Sequence, residues 1–186
     1  TDHNIGIIHL EESKDRSLKG LVGYELQVPC HIPDFGIQDE DIKQAYRKLF
    51  IRDDRVHLYS HFDTDDPDVI LDRIRFLVTC CNCRMVFLDH ISFLATSLQE
   101  ADTVKFLDYL STKLEKMVED LSFSLIMVSH ENDKGDTRGS KNISKTASLR
   151  IRLSRDITSD NKHTRNTTSM MILKNRYGAT TGPIGN

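Results

Sequence analysis

No apolar run in the chain approaches the ~20 residues needed to cross a bilayer. The first residues, Thr-Asp-His-Asn, lack the basic-then-apolar plan of a secretory signal. These absences argue against a membrane or secreted protein, so the four cysteines read as reduced thiols in a cytosol-like compartment. Zinc would need a second ligand pair beside Cys80-x₂-Cys83, and Cys30-His31 does not supply the spacing. There is no internal repeat and no low-complexity tract. The phosphate-cradling loop G-x-x-x-x-G-K-[ST] is also missing. Its nearest approach is Gly135-Asp-Thr-Arg-Gly139-Ser140-Lys141-Asn142, where the second glycine comes early and Asn replaces Ser/Thr.

What is present suits one domain. The 186 residues are 38% hydrophobic and 28% charged, enough to bury a single core. Net charge is −3, but residues 133–176 hold 11 Lys/Arg against 4 Asp/Glu, a local +7 that leaves −10 elsewhere. A basic C-terminal third on a near-neutral protein points to a local polyanion site or, equally, to a solvated face.

The organising stretch is Met85-Val86-Phe87-Leu88-Asp89-His90. An apolar run ending in an acid reads as a strand buried within a parallel sheet, with its carboxylate in the ligand crevice beyond the strand ends. There Asp89 could hold Mg²⁺ beside nucleotide phosphates, or simply cap a turn. Residues 4–10 (NIGIIHL) form another strand, followed by Glu11-Glu12-Ser13. A strand so near the start suggests a chain cut from something longer. A helix over 13–26 follows, with Leu18, Leu21, Val22 and Leu26 on one stripe, weakened by Gly20 and Gly23.

Residues 28–35 are loop, 39–51 helix, and 56–60 (VHLYS) strand. Asp66-Pro67 looks like a helix start, with Ile70, Ile74 and Leu77 on the stripe that follows. The longest helix spans 100–121, with Leu107, Leu110, Leu114, Met117 and Leu121 facing the core. Residues 123–129 (FSLIMVS) read as a second fully apolar strand, ending at His130, and 131–145 as a long basic loop. Residues 149–153 and 168–173 alternate as strands, antiparallel to one another, joined by a polar stretch. Met170-Met171 and the aromatics read as ordinary core. Strand–helix alternation implies a parallel, doubly wound α/β sheet.

Three strand ends then carry Glu11, Asp89 and His130, and in a parallel sheet they open at one edge. A carboxylate base, a Mg²⁺-binding acid and an imidazole facing a phosphate would suit phosphoanhydride hydrolysis. Glu11 and Glu12 could instead merely begin a helix. Arg138, Lys141 and Lys145 suit backbone phosphates of DNA. Arg176, after the last strand, could pair with a surface acid or reach a neighbouring subunit's nucleotide.

The order LEES (10–13), HLYS (57–60), MVFLDHISFL (85–94), SLIMVSHEND (124–133), TRGS (137–140) and ILKNRYGATTG (172–182) resembles the RecA-like helicase domain of phage primase-helicases, with Twinkle and the DnaB replicative helicases in the same superfamily. The resemblance covers Leu10 to about Gly182. It implies a mainly parallel twisted sheet flanked by helices, with antiparallel strands at the C-terminal end. It implies a partial RecA-like domain over 1–186, truncated before its phosphate-loop segment and its final strands. Glu11 is similar to the base that activates water, Asp89 to the Mg²⁺ aspartate, His130 to the γ-phosphate sensor and Arg176 to the arginine finger, with Lys174 beside it. Arg155 is similar to a second interface arginine. Lys141 and Lys145 stand where the family has glycine and glutamine in its second DNA loop.

The implied parent is a 5′–3′ DNA helicase using Mg²⁺ and ATP or another NTP or dNTP. Its implied partners are single-stranded DNA, its own copies in a hexameric ring, a fused or separate primase and a DNA polymerase. The implied setting is a bacterial host cytoplasm, with a mitochondrial source left open. The fragment alone is expected to be inactive. The other reading is a non-catalytic RecA-like DNA-binding or assembly module that truly lacks a phosphate loop.

Overall fold

The computed structural model describes residues 3–30, 32, 36–52, 55–60, 66–96, 98–131 and 141–184. Two units divide at Lys141/Asn142, and each is considered by itself.

The first unit is built on four parallel strands in the order β2-β1-β3-β4. They are β1 (Asn4–His9), β2 (Val56–Ser60), β3 (Cys83–Asp89) and β4 (Ser124–Met127). The apolar run expected inside a parallel sheet is β3, flanked by β1 and β4. Helix α3 (Pro67–Thr79) crosses between β2 and β3, and α4 (Glu100–Leu121) between β3 and β4. Parallel strands of one sheet need such crossovers.

The core lies on one face of this sheet. Ile8, Leu10, Val86 and Leu88 are fully buried there, as are Ile70 and Ile74 of α3 and Leu107, Leu110 and Leu114 of α4. Gly6 lets α3 come close, since a Cβ there would lie 2.9 Å from Leu77 Cδ1. Asp66 starts α3 by accepting from the Asp68 amide at 2.9 Å, with Pro67 in the first turn.

Helix α1 (Lys14–Leu26) begins at Ser13, whose side chain accepts from the Arg16 amide, and ends at Gln27 in the left-handed region. Helix α2 (Asp39–Tyr46) is shorter than the 39–51 expectation, because the chain widens into a π-turn over Arg47–Arg52.

Two further expectations change. The run 123–129 is not buried on both faces: β4 covers only 124–127, and Ile126 and Val128 are 41% and 43% exposed. Nor is the basic segment all loop, since Lys141–Thr146 forms α5 around the buried Ile143. Residues 132–140, which include Arg138, lie outside the described residues.

In the second unit, β5 (Leu149–Ser154), β6 (Ser169–Asn175) and β7 (Gly182–Pro183) form an antiparallel sheet in that order. The polar stretch between β5 and β6 carries α6 (Lys162–Asn166). Met170 and Met171 are exposed here rather than core. The fold is thus α/β, a four-stranded parallel sheet with flanking helices followed by a three-stranded antiparallel sheet.

Candidate active site

Backbone pairing carries β1, β3 and β4 past their formal ends. The Leu10 amide donates to the Asp89 carbonyl at 2.7 Å, Val128 to Leu88 at 2.9 Å, and Ile91 to Val128 at 3.2 Å. These bonds hold the segments carrying Glu11, Asp89-His90 and His130 side by side at the carboxyl edge of the sheet.

Asp89 is the last residue of β3, half-buried and in register with His9. The peptide bond joining it to His90 is cis. The His90 ring is the hub of the cluster. Its Nε2 lies 3.1 Å from Glu11 Oε2, and its Nδ1 lies 2.9 Å from Ser92 Oγ. The neutral tautomer that fits donates from Nε2 to the carboxylate and accepts the Ser92 hydroxyl at Nδ1. The His130 ring meets His90 edge-on, with centroids 4.4 Å apart at 89°. Phe93 closes another side of the His90 ring at 6.0 Å. His90 is only 12% exposed against 64% for Glu11, so an anchored imidazole holds a solvent-facing carboxylate. One donor atom from each of Glu11, His90 and His130 lies within 4.8 Å of the others.

The adjacent acids of LEES have different partners. Glu12 turns back to its own segment, with Arg16 Nε at 3.4 Å, His9 Nδ1 at 3.6 Å and the Ser17 hydroxyl donating at 3.5 Å. His9 Nδ1 also bonds Ser17 Oγ closely. Glu11 therefore meets the strand-end cluster, and Glu12 braces the start of α1.

Lys174, Arg176 and Arg155 belong to the second unit. Lys174, in β6, donates from Nζ to the carbonyls of Ser144 at 3.1 Å and Lys145 at 2.6 Å. Arg176 Nη2 donates to the Lys145 carbonyl at 3.0 Å, and its amide to Ser148 at 2.8 Å. Both cations thus hold carbonyls at the C-terminal end of α5, where positive charge is favoured. Arg155, after β5, is exposed, as are the side chains of Lys141 and Lys145 on α5.

His90 was not singled out from the sequence. Its signal was available: it follows directly on the strand-end acid in LDHIS, where the edge argument that marked Asp89 applies equally. The cysteines do not converge in the same way. Cys83 is buried, and burial, then the neighbouring Cys81 thiol, pushes its pKa up to about 11.

No protein-family model matches the chain. The chain is 27% identical to the DNA helicase/primase of Enterobacteria phage T3 over 205 aligned positions, which take in 97% of this chain and 34% of that protein. It is a distant relative of that protein and spans about a third of its length.

Proposed function

We propose that the chain carries the strand-end half of the NTP-hydrolysis site of a ring-forming DNA helicase, in which hydrolysis drives 5′–3′ movement along single-stranded DNA and unwinding of duplex. The observation that carries this reading is the cluster of Glu11, His90 and His130 beside Asp89, at one edge of a parallel sheet in a relative of a phage helicase/primase.

In this reading Glu11 takes the proton of the attacking water, with His90 fixing Oε2 so that the other carboxylate oxygen faces the water. His130 donates to a γ-phosphate oxygen, and its contact with His90 links phosphate to base. Asp89 offers a hard oxygen at the strand end, the donor that suits Mg²⁺. When bound with the NTP or dNTP, that ion would spread the developing phosphate charge. The reading requires a phosphate loop, which residues 1–186 do not contain, to complete the nucleotide site.

Arg176 and Lys174 act across the ring interface on a neighbour's nucleotide, and Arg155 is a second interface cation. The hold that Lys174 and Arg176 have on α5 supports a link to DNA, since Lys145 of that helix, with Lys141 and Arg138, would grip backbone phosphates. The partners are single-stranded DNA, further copies of the chain in a hexamer, and a fused or separate primase with a DNA polymerase. The setting is the cytoplasm of an infected bacterium. Among the described residues no helix is long and apolar enough to cross a membrane.

The test is NTP hydrolysis, with and without single-stranded DNA, by the protein extended upstream of Thr1. Glu11→Gln is expected to lower the DNA-stimulated rate by about 10²–10⁴, and Arg176→Ala by about 10³ or more. Full activity in both variants overturns the reading.

A further inference from the structure

The Glu11–His90–His130 cluster has a chemistry that phosphate hydrolysis does not use. We propose that these three side chains form a binding site for a zinc-type divalent transition-metal ion, separate from the Mg²⁺ assigned to Asp89. Two imidazoles and one carboxylate are the borderline donor set that favours Zn²⁺, Co²⁺ or Ni²⁺. Mg²⁺ prefers oxygen and water.

Around a tetrahedral zinc with bonds of ~2.0–2.2 Å, ligand atoms stand roughly 3.3 Å apart. His90 Nε2 and Glu11 Oε2 are already 3.1 Å apart, and all three donors fall within 4.8 Å. Only His130 has to close, and it is exposed. His90 is the fixed point. Its second ring nitrogen is tied to Ser92 Oγ at 2.9 Å, the outer-shell contact that sets the tautomer of a metal-binding histidine. Ion entry is open, because Glu11 and His130 both face solvent. A fourth position remains for water, as in zinc sites with three protein ligands.

Binding moves one proton. His90 stays neutral: the proton leaves Nε2 and one returns from solvent at Nδ1, so Nε2 donates its lone pair to the metal, Nδ1–H donates to Ser92 Oγ, and no net proton is released. No oxidation or reduction is involved. No cysteine competes in kind, since among the described residues this is the only convergent group of three metal-type donors. On the hydrolysis reading given above, an ion here takes Glu11 away from water, so zinc would antagonise the motor. The binding itself does not depend on that reading.

Cobalt(II) is the probe, titrated without nucleotide into the 186-residue chain carrying Cys30→Ser, Cys80→Ser and Cys81→Ser. The expected result is one ion per chain, with visible ligand-field bands, no thiolate charge-transfer band, and displacement by Zn²⁺. Glu11→Gln and His130→Gln, both at solvent-facing positions, should each weaken uptake by about tenfold or more. Ser92→Ala, which removes no ligand, should cost about 10–100-fold. Absent uptake, or uptake unchanged by Glu11→Gln and His130→Gln, overturns the site. If cobalt binds as described but the extended protein hydrolyses nothing, the metal site stands and the helicase reading falls. Hydrolysis that depends on Glu11, in a protein that takes up no cobalt, gives the opposite result.

Discussion

Two glycines three residues apart in α1 should respond to alanine with opposite signs. At Gly20 an added Cβ meets no atom within 4 Å. Only the backbone term operates there, and alanine should stabilise by about 0.5–1 kcal/mol. At Gly23 the same Cβ would sit 2.6 Å from the Val28 carbonyl oxygen, 3.1 Å from the Cys30 amide nitrogen and 3.4 Å from Cys30 Cβ. The nearest atom is backbone and cannot swing aside. It is also fixed at both ends of its residue: the Val28 amide donates to the Gly23 carbonyl at 2.9 Å, and the Cys30 amide to the Val28 carbonyl at 2.9 Å.

Relief requires opening the turn that closes α1. Overpacking costs about 1–3 kcal/mol, and each bond lost about 1 kcal/mol. Even after the helix gain is credited, Gly23→Ala should come out about 1–2 kcal/mol less stable. Urea unfolding followed by circular dichroism reads both variants. With a slope of ~1–3 kcal/mol per molar, Gly20→Ala should raise the midpoint by about 0.2–1 M and Gly23→Ala should lower it by about 0.3–2 M. Shifts of the same sign, or equal midpoints, would refute the close-approach argument.

Two further outcomes rest on other contacts. The Cys83 pKa is raised from 9.0 to about 11, so the native state favours the neutral thiol. Its contribution to stability is intact below pH 9 and is lost as pH rises towards 11. The urea midpoint should fall more steeply over that window in the native sequence than in Cys83→Ala, and iodoacetamide at pH 8 should label exposed Cys80 while sparing Cys83. Lys174→Ala removes two bonds to the end of α5, so amide exchange there should accelerate by roughly ten- to a hundredfold, for about 1–3 kcal/mol of lost hydrogen bonding.

The parallel sheet was legible because its signals are local. The apolar runs at β1 and β3, the Asp66-Pro67 start and the leucine stripe of α4 each fit within one element. What stayed hidden depends on which elements become neighbours. The run at 123–129 has the composition of a buried strand, but nothing in it says that β4 pairs with β3 alone among the described strands. Residues 141–145 read as loop because Lys-Asn-Ile-Ser-Lys has little helical stripe. They fold as helix with Ile143 buried and with Lys174 and Arg176 on the terminal carbonyls, contacts that come from 30 residues downstream. Gly23 read as a helix weakness, whereas its role lies in a turn that the helix itself does not encode.

The site divides along the same line. Strand periodicity brought Glu11, Asp89 and His130 to one edge, since ends of parallel strands share it. Glu11 was singled out over Glu12 by its place as the first acid of LEES, whereas periodicity alone treats adjacent acids after a strand alike. In the fold their partners separate them: His90, 79 residues on from Glu11, takes its carboxylate, while His9, Arg16 and Ser17 keep Glu12 local. His90 escaped notice for the complementary reason. A histidine just past a strand has no periodicity of its own, and its meaning arises only when β1 is laid beside β3 and the Leu10–Asp89 bond sets the register of the two ends.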